Sequence, residues 1–181
     1  NLLFAFCSVN LWAICTQSFF RAAGYNFFVT FFPEFLSEQF ADVDASQAGI
    51  YTKWPLIGVV VGGLAGGLLI DWLFKVSGSK RISRTAVAVI SLVLTAIFTC
   101  LSAQAATVTG FVTLIALGAA FSGFASPATW AATLDMGGKH TAVVAGISNM
   151  AGCMSGVLVT PILGAMMDIL KKSVSEVTVR I

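Results

Sequence analysis

The sequence predicts an all-α integral membrane protein, and three observations support that prediction. Five long apolar segments follow one another, separated by short polar connections. Charged residues make up 10% of the 181 residues, whereas a soluble domain has about 25%. The mean hydropathy is +0.92 and 57% of the residues are hydrophobic, which places the chain in the membrane class.

Each segment suits a membrane-crossing α-helix, because about 20 apolar residues span a hydrocarbon core of roughly 30 Å. The first segment ends near Pro33, which terminates or kinks a helix. Pro55 lies early in the second, the third is rich in Val, Ile and Leu, and the mixed tail from Leu170 onward is compatible with a loop. The predicted spans are about 11–36, 46–74, 85–101, 110–134 and 141–169.

The charges of the connections orient these spans. The connection 75–84 is basic, whereas the connection 34–44 is acidic and contains Asp42. Because cytoplasmic loops carry the excess of Lys and Arg, the first is predicted to be cytoplasmic and the second outside. By alternation, the loop 135–140 is cytoplasmic. We expect a multi-pass protein of the plasma membrane that has the lipid bilayer as its solvent.

Composition also argues against several functions. The net charge of +2 and the absence of a basic run with interleaved aromatics argue against a nucleic-acid partner. His140 is the only histidine and the four cysteines form no CxxC pair, so no metal and no cofactor are expected. No acid, base and nucleophile cluster within a span, so the chain is not expected to be an enzyme.

Small residues recur at helical spacing in two spans. Gly62 and Gly66 lie in the second span, and Gly152 and Gly156 form a GxxxG pattern in the fifth. Such residues let helices approach closely in lipid. They are compatible with packing alone and with helices that rock against each other, as a transporter requires.

Arg21 is the most informative residue, because a charge within a span costs about 2.5–3.5 kcal/mol unless it faces a cavity or a partner. On a helix it shares one face with Gln17, Tyr25 and Phe28. Its planar donors match a carboxylate or phosphate. A structural pairing of Arg21 with a carbonyl or an acidic residue is the alternative.

Polar residues of later spans could complete an anion site. We predict that Asn149 and Thr129 bind substrate hydroxyls and that Tyr25 and Trp130 form the walls. An interhelical hydrogen bond for Asn149, and plain packing for Tyr25 and Trp130, are the alternatives. The pattern Gly62, Gly66, Asp71 and Arg84 resembles the cytoplasmic-gate motif of major facilitator transporters. That resemblance implies that Asp71 and Arg84 form a cytoplasmic gate, with a solvated helix-end charge as the alternative for Asp71.

The motifs together resemble the anion:cation symporter group of the major facilitator superfamily, which includes vesicular glutamate transporters, sialin and bacterial hexuronate and galactonate permeases. The resemblance covers nearly the whole chain. The segments that carry it are 20–36, the spacing Gly49, Pro55, Gly62 and Asp71, the segment 121–135, and the segment 146–152 with Pro161 and Gly164.

The resemblance implies a C-terminal helix bundle of the major facilitator type. The five spans would be helices seven to eleven of twelve, with the N-terminal half and the last helix absent from this fragment. It also implies that Arg21 handles the anion and that Thr129, Trp130 and Asn149 contact sugar acids. Two departures bear on the substrate: Met136-Gly137-Gly138 follows Asp135, and Cys153 follows Gly152.

The expected function is secondary active transport of organic anions, with sugar acids such as hexuronates as substrates. The mechanism would be symport with protons or sodium by alternating access. A drug–proton antiporter of the same superfamily is the alternative among transporters. A channel or a structural membrane protein is the alternative outside transport.

Overall fold

The structure, a computed structural model, describes residues 8–40 and 43–178, with side chains described up to residue 169. These residues form helices and short connections with no strand among them, which confirms the all-α prediction. Asp42 lies outside the described residues. The elements are α1 (Val9–Thr30), α2 (Phe32–Gln39), α3 (Ala45–Ser77), α4 (Lys80–Ser102), α5 (Val108–Gly137), a 3₁₀ turn (Gly138–His140) and α6 (Thr141–Thr178).

Three stretches of the described residues are long and apolar enough to cross a membrane: Ala45–Ser77, Lys80–Ser102 and Val108–Ile169. The last has 62 residues and contains α5, the 3₁₀ turn and most of α6, so its length allows two crossings of about 20 residues each. The chain is therefore a multi-pass integral membrane protein. The more polar α1 is not among the three stretches, and its crossing stays a prediction.

The first predicted span is divided in the structure. α1 ends at Thr30, Phe31 is a turn residue, and α2 begins at Phe32. Pro33 accounts for the break, because its ring lacks an N–H and clashes with the carbonyl four residues earlier. At the other end, α6 continues to Thr178, so a loop is wrong for residues 170–178.

The chain forms two compact units, the first from Asn1–Phe31 with Gly146–Ile181 and the second from Phe32–Ala145. In the second unit, α5 packs along both α3 and α4. Aromatic rings hold α2 beside the start of α5, where the buried Phe32 stacks on Phe111 with ring centroids 6.1 Å apart. The second unit is thus built around α5.

α3 and α5 are in contact backbone to backbone. A Cβ on Gly62 would overlap the carbonyl oxygen of Ala120, and a Cβ on Gly66 would lie 2.6 Å from the Cα of Phe124. From the other side, a Cβ on Gly123 would overlap the backbone of α3. The helices can approach this closely because these positions carry no side chain.

Hydroxyl side chains join α4 to both neighbouring helices. Ser83 is buried, and its Oγ donates to the carbonyl of Ile70 in α3 at 2.8 Å. Thr95 Oγ1 lies 2.9 Å from the carbonyl oxygen of Ser91 in its own helix and 3.1 Å from that of Gly118 in α5. Hydrogen bonds between helices of this kind contribute about 0.6–2 kcal/mol each in a membrane.

Candidate functional site

The residues predicted to bind an anion divide between the two units. Arg21, Tyr25 and Asn149 lie in the first unit. Thr129 and Trp130 lie in the second. The convergence of the two sets on one site stays a prediction.

Polar side chains connect α1 to α6 within the first unit. The hydroxyl oxygens of Ser18 and Ser148 lie 2.8 Å apart, within hydrogen-bond distance. Two turns further along, Nδ2 of Asn26 donates to Oγ of Ser155 at 3.4 Å. The residue numbers rise together on both helices, so α1 and α6 run parallel.

The two glycines that the sequence analysis assigned to packing lie in this contact. A Cβ on Gly152 would lie 3.6 Å from the Cβ of Ala22, which is ordinary van der Waals distance. A Cβ on Gly156 would lie 3.3 Å from Nδ2 of Asn26, which is tight. The contact between α1 and α6 is therefore close, and it leaves little room for larger side chains.

Helix geometry places Arg21 and Asn149 on the same side of this contact. Viewed from the N-terminus, successive residues of a right-handed helix turn clockwise by about 100°. Arg21 precedes the contact residue Ala22, whereas Asn149 follows the contact residue Ser148. For two parallel helices that face each other, these opposite rotations lead to the same side. Tyr25, four residues after Arg21, lies on that side as well.

The two sides of the α1–α6 contact differ in character. Gln17, one turn before Arg21, adds a fourth polar residue to the first side. We call it the polar side, defined by Gln17, Arg21, Tyr25 and Asn149. The same geometry gives the opposite side the apolar Phe19, Ala23 and Ala151, together with the exposed hydroxyls of Thr16 and Thr30. Tyr25 and Asn149 are exposed and Arg21 is half-buried. The first side thus carries a guanidinium and an amide, whereas the opposite side is mainly apolar and its threonines are uncharged.

The polar side carries a positive charge with no nearby acidic group among the side chains described for its own unit. Among the side chains described for the first unit, Arg21 and Asp168 are the charged ones. Asp168 lies about 16 residues beyond the level of Arg21 along α6, which is roughly 24 Å at 1.5 Å per residue. A guanidinium offers five N–H donors in a planar fork that fits a carboxylate. The local field therefore favours an anion.

In the second unit, Trp130 presents an aromatic surface and Thr129 has a hydroxyl that is already bonded. Oγ1 of Thr129 donates to the carbonyl of Ala125 in its own helix at 3.0 Å. The indole of Trp130 is 54% exposed. Thr129 can accept a hydrogen bond from a ligand more readily than donate one, and Trp130 can form a wall.

Arg84, one of the two predicted gate residues, pairs with a residue that the prediction did not include. Its guanidinium forms an ion pair with Asp135 and donates to the carbonyl of Ala131 at 3.0 Å. Both acceptors are in α5, so the pair ties the start of α4 to the end of α5. The other gate residue, Asp71, is exposed near the end of α3. Asp135 belongs to the predicted loop 135–140, on the same side of the membrane as the basic connection, and this shared side was a signal for the pairing that did not single out Asp135.

A cavity of about 380 Å³ lies between the N-terminal parts of α3 and α5. Its lining is mainly apolar and contains none of the predicted site residues. A cavity without a charged group does not fit an anion. The described residues also bring no three His, Cys, Asp or Glu side chains together, so they offer no metal site. The lining residues are Tyr51, Trp54, Thr109, Val112, Thr113 and Ala116.

The prediction missed the four residues that join α1 to α6. They are Ser18, Asn26, Ser148 and Ser155. The available signal was the spacing of small and polar residues on both helices, with a repeat of three to four residues that matches one helical turn. That signal marks a contact face, but it does not identify the partner helix.

Comparison with known proteins finds two relatives. Over 159 residues the chain is 25% identical to a protein of Cupriavidus necator named "Probable sulfoacetate transporter SauU", covering 88% of this chain and 37% of that protein. Over 139 residues it is 30% identical to an Escherichia coli K12 protein named "Probable galactarate/D-glucarate transporter GudP", covering 75% of this chain and 30% of that protein. No family model matches the chain.

These relatives bear out the resemblance to anion transporters of the major facilitator superfamily. Both are named as transporters and neither as an enzyme, which agrees with the expectation that the chain is not an enzyme. The alignments span 37% and 30% of the lengths of these relatives.

Proposed function

We propose that this chain, a relative of those anion transporters, is the C-terminal half of a secondary active transporter for organic anions in the plasma membrane. The observation that carries the proposal is the polar side of the α1–α6 pair. There Arg21 lies on the same side as Tyr25 and Asn149, without a neighbouring acidic side chain in the described first unit. A charge held in this way is stabilised by an anion that binds on the polar side.

The chemistry of these side chains supports one class of anion. The guanidinium of Arg21 can bind two oxygens of a carboxylate or sulfonate at once. The amide of Asn149 can donate to and accept from hydroxyl groups. Sugar acids combine both features, and galactarate, glucarate and sulfoacetate, in the names of the two relatives, are all dianions. We propose sugar acids as the substrate class.

Transport would follow alternating access, with proton- or sodium-coupled symport. The N-terminal half of the transporter would supply the opposite wall of the substrate site, and the two halves would rock around it. Thr129 and Trp130 would contribute from the second unit. The ion pair of Arg84 with Asp135 lies at the end of the helices predicted to be cytoplasmic, where it would stabilise one of the two states together with Asp71.

A drug–proton antiporter of the same superfamily remains the alternative. A carrier of cations needs a carboxylate inside the membrane rather than an arginine. In the described residues Asp71 and Asp135 lie near helix ends, Asp168 lies at the end of the predicted fifth span, and Arg21 lies mid-helix. This placement favours an anion.

Uptake by the full-length protein tests the proposal. Vesicles containing the purified protein would take up labelled galacturonate, with galactarate and sulfoacetate as competitors, under imposed proton or sodium gradients. We expect Arg21→Ala to lower kcat/KM about 30-fold or more, since losing one partner of a desolvated charge pair costs about 2–5 kcal/mol. Arg21→Lys should retain part of the uptake, because it keeps the charge and loses the planar fork.

Arg81→Ala is the matched control, since it removes an exposed arginine from the basic connection. Its uptake should equal that of the unmodified protein. Undiminished anion uptake by Arg21→Ala would show that Arg21 does not bind the substrate. Uptake of a lipophilic cation instead of anions would favour the antiporter.

A further inference from the structure

We propose that the two hydrogen bonds between α1 and α6 position Arg21 for the anion, an inference that rests on the proposed function. We call them the clasp, defined by the pairs Ser18–Ser148 and Asn26–Ser155. One bond lies about one turn before Arg21 and the other lies just over one turn after it. The clasp therefore fixes both the rotation and the height of α1 relative to α6 around Arg21.

Burial makes these bonds more than surface contacts. Ser148 is 8% exposed and Ser155 is fully buried, whereas Ser18 and Asn26 are half-buried, so water competes weakly at the α6 end of each bond. Oγ of Ser155 accepts from Asn26 and itself donates to the carbonyl of Gly152 at 2.7 Å. The second bond is thus part of a chain that ends on the backbone of α6, and its direction is fixed.

The surface between the two bonds cannot hold the register by itself. The contact of Ala22 with Gly152 is close but smooth, because neither residue has a side chain that interlocks. Between helices in lipid there is also no hydrophobic driving force. A rotation of α1 by one residue, about 100°, would take Arg21 away from the side of Asn149. The directional bonds of the clasp oppose that rotation.

The clasp residues are positioning residues, and their loss should alter anion binding rather than folding alone. In the full-length protein, we expect Ser18→Ala and Ser148→Ala each to raise the KM for labelled galacturonate by about 3- to 15-fold, the range that one interhelical hydrogen bond supports. The double variant should be no worse than either single variant, because both remove the same bond.

Two comparisons separate positioning from packing. Ser18→Thr keeps a hydroxyl and Ser18→Val has the same shape without one, so Thr should restore the KM and Val should not. Ser83→Ala is the matched control, because it removes a buried hydroxyl bond between two helices of the second unit. It should lower stability and leave the KM unchanged. Equilibrium binding of galacturonate to folded, purified protein provides a second measurement for variants that are poorly produced.

The outcomes are distinguishable. A KM that stays unchanged in Ser18→Ala, Ser148→Ala and Ser18→Val would overturn the clasp as a positioning device, even if stability falls. If Arg21→Ala takes up anions normally, the proposed function itself fails. If uptake depends on Arg21 but not on the clasp residues, the positioning role of the clasp is refuted and the proposed function stands.

Discussion

Replacing Gly62 by alanine tests the backbone contact between α3 and α5. The added Cβ would overlap the carbonyl oxygen of Ala120, and a helix carbonyl cannot rotate aside as a side chain can. The two helices would have to separate along the glycine contact. Overpacking of this kind costs about 1–3 kcal/mol, and more where the backbone moves. We expect Gly62→Ala to lower the free energy of unfolding by at least about 1 kcal/mol.

Gly67 in the same helix provides the matched control. A Cβ added there would meet no atom within 4 Å. Because alanine is favoured over glycine in a helix by up to about 1 kcal/mol, Gly67→Ala should be neutral or stabilising. Unfolding of the purified protein by SDS in mixed micelles, followed by far-UV circular dichroism, measures both variants. Equal stability of Gly62→Ala and Gly67→Ala would refute the backbone contact.

Three further predictions use other described contacts. Asp135→Asn should lower the free energy of unfolding by less than about 1 kcal/mol, because the carboxylate is half exposed. Arg84→Ala should lower it by more, because this change also removes the hydrogen bond to the backbone carbonyl of Ala131. Equal losses in the same unfolding assay would contradict this prediction. Ser83→Ala should lower the free energy of unfolding by about 0.6–2 kcal/mol. An unchanged free energy of unfolding would show that the hydrogen bond of Ser83 to α3 is not formed. Cys100 is exposed and Cys15 is buried, so a maleimide should label Cys100 in mild detergent and Cys15 only after denaturation. Mass spectrometry of the labelled peptides measures both labelling rates. Equal rates would show that Cys15 is not buried.

The helices could be predicted from the sequence because hydropathy and length largely determine them in a membrane. The ends of the helices depend on single capping and terminating residues, which are harder to recognise in the sequence. Gly78 ends α3 with a positive φ of 65°, and Ser79 Oγ accepts from the N–H of Ile82 at the start of α4. Pro33 was recognised as a terminator or kink, yet the sequence did not show that a separate helix would follow it.

The candidate site could be predicted within single helices and not between them. The shared face of Gln17, Arg21 and Tyr25 follows from periodicity alone. The partner of Ser18 does not, because Ser148 is 130 residues away and many small polar residues have the same spacing. The same limit applies to Arg84, whose acidic partner could not be chosen from sequence spacing.

The sequence distance across the clasp has a consequence for biosynthesis. Ser148 is added 130 residues after Ser18, which takes roughly 7–26 s at about 5–20 residues per second. During that interval α1 exists without α6, the helix to which Ser18 and Asn26 later form hydrogen bonds. The helix that carries the arginine is thus made well before the helix that bonds to it. Premature termination before α6 would leave α1 unpaired and exposed to quality-control proteases.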